Sequence, residues 1–562
     1  MAEFTARPTL VHHFRAHVQF RPERTCLWFH RDGVTTTRTW REVGRDVARA
    51  ESALRKLGVS RGDRAAFVSP NRYEWIVLDL AILGLGAVHV PIHNSLTGPQ
   101  YRFQIVDADV KLLVVAGDEQ RAKLRSAEPL PAHVRVASLD PTTASSETDA
   151  DADDAPWPRL FDLADELTDG QVDSWCESSI SGASPNELAT ILYTSGTTGD
   201  PKGVMLSHRN LTSNAEAMVA GFGGPQDERR LNLLPFSHIF ARTCDLYCWL
   251  VGGSEMALAD SPQTAIENAA EFEPRMLNAV PYFYERVKRK LVELGMADEP
   301  GILPGILGGK IEYCCSGGAP LPAHLARFFN DRGVLLVQGY GLTETSPVAT
   351  MNTHRVYKHD TVGRPIADVE IRIADDGEVL VRGPNVMLGY WKRPEETAAA
   401  LDGGWFRTGD VGSLDEEGYL RITGRKKELI VTSGGKKIVP CCLEALLTAD
   451  PLIRQCAVFG DGRDYLTALV FPEPPMLSAE LRAQGIDVAD EAAARTHPQA
   501  AAILGERIKQ RLAGLSHYEQ VRKFTLIERE FSVERDEMTL TMKMRREQIA
   551  ANFADAIETM YR

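Results

Sequence analysis

The sequence predicts an α/β protein: a large N-terminal domain of βαβ-type subdomains with a β-rich subdomain, and a small α+β C-terminal domain. The chain has 562 residues, enough for several domains at roughly 100–200 residues each. Short β-branched runs alternate with helical patterns in the N-terminal part, which is typical of parallel sheets. From Val369 onward the predicted strands are short and separated by turn residues, which favours antiparallel hairpins.

Local patterns predict the elements one by one. In the N-terminal part, β-branched runs predict strands at 64–68, 111–116, 189–193 and 335–338. An apolar segment predicts a helix at 75–85. Hairpin strands follow at 369–373, 378–382 and 419–422. After Arg425 we expect a helix at 443–447, a strand at 457–459 and a helical end at 547–561.

Composition and charge narrow the class of protein. Lys and Arg total 63 and Asp and Glu total 77, so the net charge is −14 and nucleic acid is not expected as a partner. The nine cysteines are odd in number and show no CxxC spacing, which argues for a cytoplasmic protein without a disulfide framework or zinc site. The most apolar stretch, 75–92, is interrupted by Asp79 and His89 and predicts a buried helix and strand. A peripheral membrane contact stays open, and the oligomeric state is not predicted.

The segment 193–203 carries the strongest local chemical signal. Glycine lets a backbone approach a polyanion closely, and hydroxyls and amides donate to phosphate oxygens. Lys202 adds a positive charge. The remaining candidates for phosphate contacts are Thr194, Ser195, Gly196, Thr197, Thr198 and Gly199. A Gly/Thr-rich surface turn is the alternative, and Pro201 stands where the Walker A pattern requires glycine.

Further motifs follow in a fixed order at 316–321, 338–345, 405–410, 424–430 and 542–546. Together with 193–203 they resemble the acyl-adenylate-forming superfamily of acyl-CoA synthetases, adenylation domains and luciferases. The resemblance covers nearly the whole chain. Three segments, 406–408, 427–437 and 540–543, are similar to bacterial long-chain fatty acyl-CoA ligases, whereas the short segment 288–310 departs from them and leaves the chain length open.

The resemblance implies an ATP-dependent acyl-CoA synthetase that converts a medium- or long-chain fatty acid to acyl-AMP and then to acyl-CoA. Its implied co-substrates and cofactor are ATP, coenzyme A and Mg²⁺. An acyl-AMP ligase that loads a carrier protein and an aryl or short-chain acid ligase are alternatives within the superfamily. A non-catalytic acyl- or nucleotide-binding protein is the alternative from another class, and a bridging lysine argues against it.

The resemblance also implies roles for individual residues. The 194–202 loop would contact the β- and γ-phosphates, Thr343 the α-phosphate, and Glu344 Mg²⁺, although an acid at a helix start is also stabilised there without a metal. Asp410 and Arg425 would hold the ribose. The adenine pocket would be walled by Gly317, Gly318, Ala319 and Tyr340. The other residues implied to bind ATP or AMP in the same motifs are Gln338, Gly339, Gly341 and Leu342.

The resemblance implies two domains, a large one at 1–424 and a small mobile one at 425–562 that rotates between two half-reactions. Lys543 would bridge the acyl carboxylate and the α-phosphate, and Lys427 would be the hinge. The loop with Gly434, Gly435 and Lys436 would face coenzyme A, with a basic hairpin on a solvated face as the alternative. His238 would lie near the acyl and thiol channels, although a lone histidine between apolar residues is usually a core residue.

Overall fold

The predicted α/β class is confirmed by a computed structural model, which describes residues 8–141, 158–178, 184–194, 201–224, 228–532, 534–539 and 543–562. The segment 142–154, whose Ser, Thr, Ala and Asp composition predicts a solvated loop, lies outside these residues. The phosphate-loop candidates Ser195, Gly196, Thr197, Thr198 and Gly199 also lie outside them. Among the helices in the described ranges, none has the length and apolar character needed to cross a membrane.

The helices of the described residues alternate with strands through most of the chain. In the first half they are α1 (Leu10–Phe20), α2 (Trp40–Lys56), α3 (Tyr73–Gly84), α4 (Gly98–Asp107), α5 (Asp118–Arg125), α6 (Asp169–Ser178), α7 (His208–Gly221), α8 (Ile239–Ala241), α9 (Cys248–Gly252) and α10 (Ala265–Phe272). In the second half they are α11 (Pro281–Glu293), α12 (Ile302–Ile306), α13 (Ala323–Asn330), α14 (Pro394–Ala400), α15 (Pro440–Thr448), α16 (Pro474–Ala483), α17 (Glu491–Thr496), α18 (Pro498–Leu512), α19 (Arg546–Asn552) and α20 (Ala554–Tyr561).

A nine-stranded sheet is formed by described residues of the N-terminal part. Its strands are β1 (Thr25–Arg31), β2 (Val34–Thr39), β9 (Arg229–Asn232), β10 (Glu255–Leu258), β11 (Met276–Ala279), β12 (Tyr313–Ser316), β13 (Leu335–Gly341), β14 (Val348–Met351) and β15 (Arg364–Pro365). Their order is β15-β14-β13-β12-β11-β9-β10-β1-β2, and the six strands from β13 to β1 pair in parallel.

A second, seven-stranded sheet within the described ranges carries the other βαβ units. Its strands are β3 (Arg64–Val68), β4 (Val88–Ile92), β5 (Leu112–Val115), β6 (Arg135–Ser138), β7 (Leu188–Thr194), β8 (Lys202–Ser207) and β18 (Gly389–Tyr390), in the order β18-β8-β7-β4-β3-β5-β6. The apolar stretch 75–92 is the buried α3 followed by β4, as predicted, and Pro91 lies in β4 between its parallel neighbours.

The remaining strands are short and mainly antiparallel. They are β16 (Glu370–Ile373), β17 (Glu378–Arg382), β19 (Leu401–Asp402), β20 (Trp405–Leu414), β21 (Leu420–Arg425), β22 (Ile430–Val431), β23 (Lys437–Ile438), β24 (Ile453–Phe459), β25 (Leu466–Pro472) and β26 (Val521–Leu526). The hairpins β20–β21, β22–β23 and β24–β25 are antiparallel, whereas β25 and β26 pair in parallel.

The chain divides into two compact units. One consists of 1–318, 326–371 and 381–407, and the other of 319–325, 372–380 and 408–562. In the second unit, β24 and β25 have a core on each face, because alternate residues point to opposite sides. Val458 packs on one side with Leu504, and Ala457 packs on the other with Ile557. The division predicted between residues 424 and 425 stays a prediction.

Candidate active site

The β7–β8 hairpin holds the ends of the predicted phosphate loop. Thr194, the last residue of β7, pairs with Lys202, the first residue of β8. Lys202 is partly buried, and its Nζ lies 5.2 Å from the ring centroid of Tyr390. This distance is within the range of a cation–π contact, so the Tyr390 ring helps to fix the position of the ammonium group.

Tyr390 also contacts the candidate metal ligand. Its hydroxyl donates to Oε1 of Glu344 at 2.8 Å. Burial and the nearby Glu344 carboxylate raise the pKa of Tyr390 well above its usual value, so the phenol stays protonated and continues to donate. The lysine of one motif and the glutamate of another therefore both contact one tyrosine, Tyr390, which lies outside the motifs.

Residues at the start of α7 help to position Tyr390. Ser207 and Asn210 form a reciprocal cap, in which each side chain accepts from the other residue's backbone N–H. The amide of Asn210 then donates to the carbonyls of Pro384 and Val386 at 2.7 and 2.8 Å. These hydrogen bonds hold the segment before β18 beside β8, where Tyr390 pairs with Val204.

Thr343 and Glu344 lie on a short 3₁₀ turn, Thr343–Thr345, directly after β13. The backbone N–H of Leu342 donates to Thr345 Oγ1 at 2.9 Å, which closes the turn. A Cβ at Gly341 would lie 1.6 Å from the carbonyl oxygen of Pro347. Only glycine fits there, because backbone atoms cannot withdraw as a flexible side chain can. The glycine of the motif thus brings the turn close to the following chain.

The other residues of the two glycine motifs that are predicted to bind the nucleotide lie at the ends of β12 and β13. Gly317 and Gly318 follow β12, and a Cβ at Gly317 would approach the Phe240 ring to 2.8 Å. Gln338 is buried, and its side-chain amide donates to the carbonyl of Thr361 at 3.1 Å. Gly339 and Tyr340 are also in β13, and Tyr340 is half-buried. Ala319 belongs to the other compact unit.

His238 caps the N-terminus of α8. Its Nδ1 accepts from the backbone N–H of Phe240 at 3.2 Å, and the ring is partly buried. The carbonyl of His238 accepts from the N–H of Arg242 at 3.1 Å. Local backbone contacts therefore account for the orientation of the imidazole, and they also connect it to the turn that begins at Arg242.

A π-helical turn, Arg242–Tyr247, follows α8, and all six of its residues are buried. Thr243 donates to the carbonyl of Ser346 at 2.9 Å, which joins the turn to the chain just after Glu344. Asp245 accepts from the side-chain amides of Asn232 and Asn278, and burial raises its pKa to about 6. Such turns are frequent at functional sites, and no periodicity in the sequence indicated this one.

A fully buried polar cluster fixes the ends of the π-turn. Arg242 donates to Asp79 and, at 2.8 Å, to Thr190 Oγ1, and the Tyr247 hydroxyl donates to Asp79 at 3.0 Å. His89 Nδ1 lies 2.6 Å from Asp79 Oδ1. Burial, reinforced by Arg242, lowers the pKa of His89 to about 4, so the imidazole is neutral. Burial alone would raise the pKa of Asp79. The charge of Arg242 and the hydrogen bonds from Arg242 and His89 have a larger opposite effect, so the pKa of Asp79 lies below its usual value.

Asp410 and Arg425 meet on neighbouring strands of the second unit. They are direct partners in the register of β20 and β21, and Arg425 Nε lies 2.9 Å from Asp410 Oδ1. The Asp410 side chain is nearly buried, whereas that of Arg425 is 37% exposed. Burial and pairing keep the carboxylate oriented, so it can accept from a diol beside the guanidinium.

Lys426 and Lys427 differ in their surroundings although they are adjacent. Lys426 Nζ contacts Asp376 at 2.6 Å and Glu378 at 3.0 Å, and hydrogen bonds to these carboxylates raise its pKa. Lys427, the predicted hinge, is exposed. Lys426 is therefore held by ion pairs directly before the predicted hinge residue, Lys427.

The predicted coenzyme A loop joins β22 and β23. Gly434, Gly435 and Lys436 are exposed, and Lys436 Nζ lies 5.4 Å from the ring centroid of Tyr518. The N–H of Ser433 donates to the carbonyl of Arg463 at 3.0 Å. The base of the loop is thus attached to a neighbouring turn while its glycines face outward.

Lys543 is exposed and is held through its backbone. Its N–H donates to Thr539 Oγ1 at 3.0 Å, and its carbonyl accepts from the N–H of Thr539 at 2.7 Å. The neighbouring arginines have structural partners: Arg545 pairs with Asp536 at 2.5 Å and Arg546 with Glu444 at 2.6 Å.

Comparison with known proteins decides the family. A family model for AMP-binding enzymes matches residues 14–391, and one for the C-terminal domain of AMP-binding enzymes matches residues 427–562. The chain belongs to the AMP-binding enzyme family. It is 33% identical over 579 residues to the long-chain-fatty-acid–CoA ligase FadD15 of Mycobacterium bovis, with 94% of this chain and 93% of that protein covered.

A further relative and a solved structure of similar fold extend the comparison for this AMP-binding enzyme. A feruloyl-CoA synthase from an Amycolatopsis species is 33% identical over 441 residues, covering 76% of this chain and 81% of that protein. The crystal structure of the anthranilate CoA ligase AuaEII with anthranoyl-AMP has a TM-score of 0.78 at 20% identity, covering 98% of each chain, and so supports the fold. The predicted family and enzyme class, an AMP-forming acid–thiol ligase that uses ATP and coenzyme A, are confirmed.

Proposed function

We propose that this AMP-binding enzyme activates a medium- or long-chain fatty acid through acyl-AMP and transfers the acyl group to coenzyme A. The observation that carries the proposal is the arrangement of Lys202, Tyr390 and Glu344. A cation near the ring of one tyrosine and a carboxylate hydrogen-bonded to its hydroxyl suit a polyphosphate that arrives with a divalent cation. The long-chain-fatty-acid–CoA ligase relative supports the choice of acid.

In the proposed first step, the acid's carboxylate attacks the α-phosphorus of ATP and pyrophosphate leaves. Lys202 and Thr194 at the ends of the β7–β8 hairpin would contact the leaving phosphates, and Lys543 would neutralise charge between the carboxylate and the α-phosphate. Asp410 would accept hydrogen bonds from the ribose hydroxyls beside Arg425. In the second step the thiol of coenzyme A attacks the acyl carbon and AMP leaves.

The residues around Glu344 fit Mg²⁺. The carboxylate is partly buried, one oxygen accepts from Tyr390, and hard oxygen ligands suit this ion. Bound there, Mg²⁺ would offset phosphate charge. The second carboxylate oxygen would hold the ion while Tyr390 fixes the rotamer of Glu344.

The two half-reactions test this proposal directly. Enzyme with ATP and a saturated fatty acid should release pyrophosphate to about one equivalent, and coenzyme A should then start turnover with acyl-CoA as product. Turnover with a carrier protein but not with coenzyme A would favour the acyl-AMP ligase. An aryl acid such as ferulate is the matched competitor, because the feruloyl-CoA synthase relative is equally identical over a shorter span. A clear preference for the aryl acid would contradict the fatty acid assignment.

Glu344→Gln should raise the Mg²⁺ concentration needed for half-maximal pyrophosphate release by about tenfold or more, because a neutral amide is a poorer ligand for a hard cation. Excess Mg²⁺ should partly restore the rate. Tyr390→Phe is the matched control: it keeps the ring near Lys202 but removes the hydroxyl, so a smaller shift is expected. An unchanged Mg²⁺ titration for Glu344→Gln would leave Glu344 as an acid that only stabilises the 3₁₀ turn.

Lys427→Pro should separate the half-reactions, because proline fixes φ near −65° and hinges need freedom of φ and ψ. Pyrophosphate release should persist, acyl-AMP should accumulate on the enzyme, and acyl-CoA formation should fall strongly. Lys427→Ala removes the charge without the ring and should have a much smaller effect. Acyl-CoA formation by the proline variant at the parent rate would place the hinge elsewhere.

A further inference from the structure

The last residue of α4, Asp107, contacts two chain segments of the candidate active site, both in the first compact unit. Its Oδ2 accepts from the hydroxyl of Tyr193 at 2.6 Å, and Tyr193 directly precedes Thr194 in β7. Its Oδ1 lies 3.4 Å from Nη2 of Arg393, three residues after Tyr390. One carboxylate thus joins the strand before the phosphate loop to the chain that follows Tyr390.

The backbone carbonyl of Asp107 binds the second of these segments as well. It accepts from Trp391 Nε1 and from Lys392 Nζ, each at 2.8 Å. A carbonyl in the last turn of a helix has no partner within the helix and lies at its negative end, so indole and ammonium donors are favourable there. The N–H of Arg393 donates to the carbonyl of Tyr390 at 3.2 Å and closes the turn that presents these side chains. Contacts with Asp107 therefore fix where the chain runs after Tyr390.

A carboxylate is an unfavourable group at this end of α4. The partial charge of the backbone is negative at a helix C-terminus, where a cation would be stabilised instead. The carboxylate of Asp107 is also largely buried, with 14% of the side chain exposed. Its hydrogen bonds with Tyr193 and Arg393 offset both effects. The contacts that Asp107 makes, and not the stability of the helix, therefore explain an acid at this position.

Tyr193 and Trp391 connect Asp107 to Lys202. Gly203, the residue after Lys202, pairs with Tyr193 in the β7–β8 register, and its carbonyl accepts from the N–H of Trp391 at 2.7 Å. A Cβ at Gly203 would lie 3.3 Å from the Tyr193 ring and 3.3 Å from Cβ of Trp391, so both side chains pack against the backbone beside Lys202. Burial and the hydrogen bond to Asp107 raise the pKa of Tyr193, so its phenol stays protonated and continues to donate.

We propose that Asp107 is a positioning residue for the phosphates of ATP, because it holds Lys202 and Tyr390 in place relative to each other and so keeps the ammonium group near Glu344. Asp107 itself contacts no phosphate in this role. The inference rests on the proposed contact of Lys202 with the leaving phosphates and adds a residue that lies outside the motifs. A residue that acts on the polyphosphate site should affect ATP and pyrophosphate, and should leave AMP, the fatty acid and the thiol step unchanged.

Asp107→Asn should raise KM for MgATP in the pyrophosphate-release assay by about tenfold, as is common for groups that orient a binding residue. The amide can accept from only one of Tyr193 and Arg393 and presents N–H groups to the other. The inhibition constant of pyrophosphate should rise in parallel. KM for the fatty acid, the inhibition constant of AMP and the rate of acyl transfer from supplied acyl-AMP to coenzyme A should stay at the parent values.

Asp109→Asn is the matched control. It removes the same charge two residues away, from an exposed side chain that pairs with Arg64 at 2.6 Å. Asparagine also tolerates the positive φ of 54° at this position. All the constants measured for Asp107→Asn should keep their parent values in this variant.

Tyr193→Phe removes the same hydrogen bond from the other side and keeps the ring against Gly203, so it tests the inference even if Asp107→Asn does not fold. It should shift the constants for MgATP and pyrophosphate in the same direction, and adding it to Asp107→Asn should have little further effect, since both changes act through one contact. Parent constants for MgATP and pyrophosphate, or an equal loss of affinity for AMP and pyrophosphate, would overturn the inference. Failure of the parent enzyme to release pyrophosphate with any fatty acid would instead overturn the proposed function.

Discussion

Lys543→Ala should lower the rate of acyl-AMP formation by about 10²–10³, because the lysine is proposed to neutralise two anions where charge develops. Pyrophosphate release in a single turnover measures this step. Acyl transfer from supplied acyl-AMP to coenzyme A should keep most of its rate, since the proposed rotation removes Lys543 from the second reaction. The contrast between the two steps is the signature expected of this residue.

Arg545→Ala is the matched control for Lys543→Ala. It removes a positive charge two residues away, but Arg545 is already paired with Asp536. We expect acyl-AMP formation within about threefold of the parent, because exposed ion pairs contribute little. If Arg545→Ala were as damaging as Lys543→Ala, or if Lys543→Ala slowed both half-reactions equally, the assignment of Lys543 would be wrong.

Arg242→Met should destabilise the first unit by roughly 3–5 kcal/mol, because it leaves the Asp79 carboxylate buried without its cation. The urea midpoint of unfolding is the measurement. Arg382→Met is the control on the same unit: it breaks the exposed pair with Glu370 and should cost less than about 1 kcal/mol.

The double variant Asp79→Leu with Arg242→Met should recover much of the lost stability. Replacing both members of a buried ion pair by apolar groups removes the uncompensated charge, and such exchanges are often neutral. A double variant no more stable than Arg242→Met would contradict this account. It would mean that the other members of the cluster, such as Thr190 and Tyr247, depend on the ionic pair for their own hydrogen bonds.

Much of the fold could be predicted because its signals are local. The β-branched run at 64–68 became β3 with the same bounds, and the 378–382 run became β17. The helix expected at 75–85 is α3, which begins two residues earlier, at Tyr73, and ends at Gly84. The helical end at 547–561 is interrupted at Phe553, which separates α19 from α20.

Features that depend on distant parts of the chain could not be predicted. Tyr390 meets Glu344 and Lys202 only because the short β18 pairs with β8, and two residues of strand leave no periodicity in the sequence. The π-turn and its cluster bring together residues as far apart as Asp79 and Arg242. In the sequence, Asp79 and His89 are visible only as polar residues that interrupt an apolar stretch. Such interruptions are the sign by which the sequence indicates a buried ionic cluster.

The buried cluster also constrains how this chain can change by descent. A single substitution at Asp79 or Arg242 passes through a destabilised intermediate, whereas a paired exchange does not. Related chains should therefore either keep both residues or have replaced both. His89 should be kept where Asp79 is kept and replaced where Asp79 is replaced. In aligned sequences, the residue types at positions 79 and 242, which are 163 residues apart along the chain, should change together. The residues of the exposed pair Arg382–Glu370 should change independently of each other.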